Sequence, residues 1–153
     1  MYDEKINNAD IKFMKRVLEN YKYRSDKLKF YKGLSDEYKC KVDDETRIKA
    51  VSYGNDSHTT STPVTPYVNE LIIMQATYEA KANEYKLKID TIERVEQLSK
   101  RLLNISKGNR ETIEFIYFRG MSITDLASQE GVSKQAIAER INNAIYAMLE
   151  VKF

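Results

Sequence analysis

Near the C-terminus, polar side chains that can read DNA bases recur at helical spacing. On a helix that begins after Ser133, successive residues are rotated by about 100°, so Gln135, Glu139 and Asn142 share one face. Amide side chains can pair bidentately with adenine, lysine can reach guanine, and glutamate can accept a hydrogen bond from cytosine. The Ser133 hydroxyl and the helix N-terminus can bind phosphate. The candidate contact residues are Ser133, Lys134, Gln135, Ala138, Glu139, Asn142 and Asn143.

The opposite face of the same helix carries an apolar stripe. Ile137, Ile141, Ala144 and Met148 are separated by steps of 4, 3 and 4 residues, and Ile145 widens the stripe. This spacing predicts that the helix packs on a core through one side. The polar face would then remain available to a partner.

The segment before this helix predicts a second, shorter helix joined to it by a tight turn. Ser122 is placed to cap a helix over residues 123–130, and Ser133 is placed to cap the next helix. Ala127 lies where the two helices would cross, so a larger side chain there would push them apart. Gly131 suits the left-handed conformation of the turn. The pattern predicts a helix-turn-helix, although a packed helical hairpin with no DNA role has the same signature.

Residues 108–153 resemble the fourth region of sigma factors, the part that reads the upstream promoter element. The stretch GMSITDLASQEGVSKQAIAERINNAIYAMLE is most similar to the smaller extracytoplasmic-type pattern. That pattern has direct counterparts of Ile137, Arg140, Ile141 and Ala144. The preceding IEFIYFRG resembles the helix that the family places before the motif. We predict here a short helix over residues 110–119, capped by Asn109 and ended by Gly120.

The layout of the whole chain resembles the small sigma-like late transcription regulators of phages and prophages of Gram-positive bacteria, the ArpU and RinA type. These proteins also place a region-four-like motif at the C-terminus after a variable helical segment. The resemblance implies sequence-specific promoter binding and activation together with host RNA polymerase. It also implies DNA contacts at Lys134, Gln135, Ala138 and Glu139, with Ala138 standing where the family usually has a polar or basic residue.

The rest of the sequence predicts an all-α protein. Five glycines and two prolines in 153 residues favour long helices over a sheet protein with many turns. We expect an N-terminal helical segment over residues 1–53, a linker over 54–66, a long helix over 67–105 and the helix-turn-helix domain over 108–153. The linker is rich in hydroxyl residues, and Pro66 is expected at the first position of the long helix.

A basic helix is predicted from about residue 9 to residue 32. Met14 and Leu18 belong to its 3-4 apolar repeat, and Gly33 is expected to end it. Between residues 12 and 32, eight Lys or Arg residues accompany two acidic residues, which gives a net charge of +6. This stretch is either a solvated helix face or part of the electrostatic footprint for nucleic acid or another acidic partner.

The long helix carries an apolar stripe whose phase slips by one residue. The first part steps through Leu71, Gln75, Tyr78, Ala82, Tyr85, Ile89 and Ile92. The second part steps through Val95, Leu98, Leu102 and Ile105. A single helix of this length would span about 60 Å, more than the diameter of a small domain. It therefore breaks near the slip, packs against the N-terminal helix, or forms a coiled coil with another chain, as in a homodimer.

The composition argues against an enzyme, a metal site and a membrane protein. Cys40 and His58 are the single cysteine and histidine of the sequence, which rules out an intrachain disulfide and argues against structural zinc. The sequence contains no phosphate-binding loop and no catalytic constellation, so we expect no cofactor. It also lacks a signal-peptide pattern and an apolar run of membrane-spanning length, which predicts a cytoplasmic protein. The resemblance to phage regulators implies that this cytoplasm is that of a bacterial host cell.

The leading hypothesis is a DNA-binding transcription regulator, with double-stranded DNA and host RNA polymerase as partners. One alternative is a DNA-packaging protein similar to a small terminase subunit, although that class usually places its motif at the N-terminus. Another is an adaptor that binds polymerase or a sigma factor without touching DNA, which the net charge of −1 over residues 108–153 favours. We expect the motif to supply specificity, while affinity comes from the basic helix, a second subunit or polymerase.

Overall fold

The computed structural model describes the backbone of residues 5–53 and 66–153, and the side chains of residues 5–47 and 66–153. These residues form helices and no strand, so the all-α prediction is confirmed. The helices are α1 (Asn8–Tyr53), α2 (Pro66–Glu96), α3 (Leu98–Leu103), α4 (Lys107–Ile113), α5 (Ile123–Glu130) and α6 (Lys134–Glu150), with a π-helical turn at Glu114–Phe118. Pro66 opens α2 as expected, and the rest of the predicted linker lies outside the described residues.

The chain divides into two compact units. The first unit combines the residues up to Tyr23 with Ile89–Phe153, and the second unit consists of Arg24–Lys88. Both α1 and α2 therefore contribute residues to each unit, whereas α3 to α6 belong wholly to the first.

In the second unit, α1 and α2 run antiparallel and share a cluster of tyrosines. The ring of Tyr31 stacks on those of Tyr78 and Tyr85, with centroids 6.2 and 5.8 Å apart. The Tyr38 ring lies 5.4 Å from that of Tyr78. Leu71 of the predicted stripe is buried. In this unit the stripe of the long helix thus packs against the N-terminal helix, as one of the three expected arrangements requires.

The expected end of the N-terminal helix at Gly33 is wrong. Gly33 lies on the exposed side of α1, and its φ is not positive. A glycine inside a helix costs about 1 kcal/mol relative to alanine. Beyond it, Ser35 is buried and Tyr38 packs on Tyr78 of α2, so the contact stripe continues. We infer that these contacts outweigh the local cost and carry the helix to Tyr53.

The long helix also breaks, as another of the three expected arrangements requires, and one residue makes the break. Gln97 adopts a left-handed conformation (φ 51°, ψ 46°) between α2 and α3. This single non-helical residue corresponds to the slip in the apolar phase. Leu98 is 1% exposed after the break, whereas Val95 is 65% exposed before it, so Val95 does not belong to the second stripe. The region predicted as one long helix over 67–105 is therefore two helices.

The core of the first unit forms around α6. The predicted α6 stripe is buried as expected, with Ile137, Ala144 and Met148 fully enclosed. Met14 and Leu18 from α1 belong to the same core. The remaining buried members are Leu98, Ile105, Ile113, Tyr117, Leu126, Ala127, Ile141 and Ile145. The N-terminal turns of α1 are thereby part of the unit that holds the helix-turn-helix.

Candidate nucleic-acid interface

The first helix of the predicted motif begins and ends at the expected residues. The Ser122 Oγ accepts a hydrogen bond from the Asp125 backbone N–H at 3.0 Å, and α5 follows directly. Gly131 ends α5 with φ 68°. The Val132 N–H then donates to the Ala127 carbonyl at 3.0 Å, a bond typical of a helix closed by a left-handed residue. These contacts fix the angle at which the chain enters the second helix.

Ser133 caps the second helix as predicted. Its Oγ accepts a hydrogen bond from the Ala136 backbone N–H at 3.1 Å, and α6 starts at Lys134. The capping contact uses the hydroxyl as an acceptor only, so its hydrogen remains able to donate to a phosphate oxygen. The candidate phosphate role of Ser133 is thus compatible with its structural role.

The predicted contact residues lie together on the solvent side of α6 and at its N-terminus. The exposed members are Ser133, Lys134, Gln135, Glu139, Asn142 and Asn143. Ala138 is half-buried, so its methyl group is the least accessible of the candidates. The buried stripe on the other side holds the helix against the core. The polar groups are therefore presented on a rigid element rather than on a loop.

An ion pair that sequence reasoning missed joins the two helices of the motif. The Arg140 guanidinium donates to the Glu130 carboxylate, which brings the end of α5 to the second turn of α6. Glu130 and Arg140 are ten positions apart on different helices, so no local spacing rule indicates the pair. Since both side chains are partly exposed, we expect a contribution of at most about 1 kcal/mol to stability. The pair also engages one of the few cations of the motif.

Other arginines of the first unit are engaged by the fold. Arg101 donates from Nη1 to the Met148 carbonyl at 2.9 Å and so ties α3 to the end of α6. Arg110 donates from Nε to the Leu102 carbonyl at 2.9 Å, at the end of α3. Arg119 stacks over Phe115, with 4.8 Å between its guanidinium carbon and the ring centroid. Lys134 is the cation that the α6 reading face itself presents to solvent.

The N-terminal helix contacts the turn that leads into the motif. A Cβ placed on Gly120, whose φ is +70°, would lie 3.1 Å from Lys22 Cε and 3.2 Å from its Nζ. One residue earlier, the Tyr21 ring makes an edge contact with Phe118, with centroids 5.6 Å apart. Burial raises the pKa of Tyr117 to about 12, and the negative charge of Glu19 adds to this effect. No local sequence pattern indicates this packing, because its partners are almost one hundred residues apart.

A cleft of about 350 Å³ lies beside the motif, between α4, α5 and α6. Phe115 and Leu126 contribute its apolar lining, and the Glu130–Arg140 pair contributes charge. The described side chains contain no group of three or more His, Cys, Asp or Glu placed to hold a metal ion. None of the described helices is long and apolar enough to cross a membrane.

Comparisons with family models, with curated proteins and with solved structures find no match to this chain.

Proposed function

We propose that this protein is a sequence-specific DNA-binding transcription regulator that reads base edges with the exposed face of α6. The observation that carries the proposal is the exposed polar surface formed by Gln135, Glu139 and Asn142 on a capped helix whose other side is buried. An α-helix fits the major groove, where each base pair presents a distinct pattern of donors and acceptors. Because the helix is already held against the core, binding costs little backbone conformational entropy.

The charges of this face favour base reading over general attraction to phosphates. Glu139 is exposed and would be repelled by phosphates that approach it in a wrong register. In the correct register its carboxylate accepts a hydrogen bond from cytosine, while the amides of Gln135 and Asn142 pair with adenine. This face thus supports specificity more than affinity.

The fuller form of the proposal rests on the resemblance of residues 108–153 to the fourth region of sigma factors. In this form of the proposal, the protein is a late-gene activator of a phage or prophage that works with host RNA polymerase in the bacterial cytoplasm. A homodimer formed through the side of α2 that does not pack on α1 would add a second reading helix and so increase the affinity for a two-part site.

Binding measurements with single variants test the reading face. A duplex would first be selected from a random pool with the full chain. We expect Gln135→Ala and Glu139→Ala each to reduce the preference at one base pair by about 1–3 kcal/mol, measured by fluorescence anisotropy against single-base substitutions of the duplex.

Glu150→Ala provides a matched control. Glu150 is exposed on the same helix and eleven residues after Glu139, so it lies on nearly the same face about 16 Å further along. The substitution removes the same charge from the far end of α6, and we expect it to leave the base preference unchanged. An unaltered preference in both reading-face variants would contradict the docking of α6. Co-purification with polymerase, without binding to any duplex at low salt, would instead favour the adaptor.

A further inference from the structure

The N-terminal turns of α1 and the short segment before them carry cations that no described contact neutralises. Lys5, Lys12 and Arg16 are exposed and Lys15 is half-buried. None of the four has an ion pair, hydrogen bond or ring contact among the described side chains. Residues 5–23 contain five Lys or Arg and two Asp or Glu, a net charge of +3. This contrasts with four arginines elsewhere in the first unit, which bind carbonyls, a ring or a carboxylate: Arg101, Arg110, Arg119 and Arg140.

The arrangement of these cations works against the stability of the helix. Lys12 and Arg16 are four residues apart, and like charges at this spacing destabilise a helix by a few tenths of a kcal/mol. Met14 and Leu18 are buried in the core of the first unit, which fixes the rotation of α1. The cations are therefore held on the outside, and an anionic partner would relieve their repulsion.

This basic surface belongs to the same unit as the reading helix. Lys22 lies against Gly120, two residues before the cap of α5. From Lys22, the positions of Lys12 and Arg16 are about 9–15 Å back along α1. A duplex has one negative charge for every 1.7 Å or so of its axis, so phosphates lie on both sides of any base pairs that a helix reads.

We propose that Lys5, Lys12, Lys15 and Arg16 contact the phosphates of the duplex beside the base pairs that α6 reads. The inference rests on the proposed function and adds a second contact surface to it. The motif then provides sequence preference, and the N-terminal turns of α1 provide salt-dependent affinity. The sequence left three sources of affinity open: the basic helix, a second subunit or polymerase. We assign the affinity to the part of the basic helix that lies in the first unit.

The salt dependence of binding on two duplex lengths tests this contact. The full chain would be titrated against a selected duplex of about 12 base pairs, close to one helical turn, and against the same site extended to about 30 base pairs. Each lost phosphate contact lowers the slope of log affinity against log salt by about 0.9. We expect Lys12→Ala/Arg16→Ala to lower the slope by nearly 2 on the long duplex, and by much less on the short one. The base preference should stay the same.

The control removes the same charge from the second unit. Lys39 and Lys86 are exposed and form no described ion pair, so Lys39→Ala/Lys86→Ala should keep the wild-type slope. An equal loss in both double variants, or an unchanged slope for Lys12→Ala/Arg16→Ala, would overturn the phosphate contact. If base preference persists in that case, the proposed function stands. If the wild-type chain binds no duplex, both proposals fail.

A further variant separates a nucleic acid from an acidic protein as the partner. Phe13 is 55% exposed next to Lys12, and a protein surface would cover such a ring whereas phosphates would not. We expect Phe13→Ala to leave both the slope and the affinity for the long duplex unchanged. A different result would show that the basic surface binds a protein. In that case Lys12→Ala/Arg16→Ala would leave the affinity for DNA unchanged, and both this double variant and Phe13→Ala would weaken binding to purified polymerase.

Discussion

The positive charges of the N-terminal turns of α1 and those in and next to the helix-turn-helix are used in different ways. In α1, Lys12 and Arg16 point outward without a described partner. In and next to the motif, Arg110 donates to backbone carbonyls and Arg140 pairs with Glu130. The net charge of a segment therefore does not tell how many of its cations can bind a ligand. A motif that is nearly neutral can still be held rigid by its cations, while a neighbouring helix supplies the field.

The largest expected effect distinguishes Arg110, which donates to a backbone carbonyl, from Lys12 and Arg16, which have no described partner. Arg110→Ala removes the donor to the Leu102 carbonyl and leaves the end of α3 unsatisfied. Hydrogen bonds from charged groups contribute about 1.5–3 kcal/mol, so we expect a loss of this size in the free energy of unfolding, measured by urea denaturation with circular dichroism. Lys12→Ala/Arg16→Ala should change it by less than about 0.5 kcal/mol. Similar losses of unfolding free energy in the two variants would refute the distinction between the regions.

A smaller effect is expected at high pH and comes from Tyr117, whose pKa is raised by burial and by Glu19 of α1. The unfolded chain ionises tyrosine near its ordinary pKa of 10, whereas the pKa of Tyr117 in the folded protein is about 12. Between these values the folded state retains a proton that the unfolded state loses, so stability falls as the pH rises from 10 to 12. We expect Tyr117→Phe to remove about 1–2 kcal/mol of this fall, measured by denaturation across that range. Equal alkaline slopes for wild type and variant would show that Tyr117 does not contribute.

The smallest predicted effects have opposite signs in the two regions. Gly131 has φ 68°, and a Cβ added to it would meet no neighbour within 4 Å, so Gly131→Ala is disfavoured by backbone strain alone. We expect a loss of about 1 kcal/mol. Gly33 has equal space but lies in a helix without a positive φ, and Gly33→Ala should raise stability by about 0.5–1 kcal/mol. Thermal unfolding measures both effects. If both substitutions shifted the melting temperature in the same direction, the backbone conformations assigned to Gly33 and Gly131 would be contradicted.

The parts of the fold that were predicted from the sequence depend on neighbouring residues. Ser122, Gly131 and Ser133 were identified because a cap or a left-handed turn is determined within three or four positions of the chain. The exposed face of α6 followed from helical periodicity. The slip in the apolar phase offered a break near Val95 as one of three arrangements of the long helix, and the structure has the break at Gln97.

The features that were missed depend on distant residues or on finer helix geometry. The short helix predicted over 110–119 is α4 from Lys107, capped by Ser106, followed by the π-helical turn. An apolar run such as IEFIYF does not distinguish an α-helix from a π-helix, because almost every position is apolar and no periodicity favours one geometry. Arg101 and Met148 are 47 positions apart, and their hydrogen bond follows only from the packing of α3 on α6. In the candidate site, the engagement of Arg140 could not be deduced from its spacing.

The left-handed residue between α2 and α3 has a consequence for how this sequence can diverge. Gln97 occupies a region of backbone space that β-branched residues avoid and that glycine and asparagine adopt easily. Related chains that keep this joint should therefore carry glycine, asparagine or an unbranched polar residue there, and not valine, isoleucine or proline. A lineage that placed valine or isoleucine at this position could fuse α2 and α3, because these residues avoid the left-handed conformation. Every apolar residue after the joint would then need to move by one position to reach the same core.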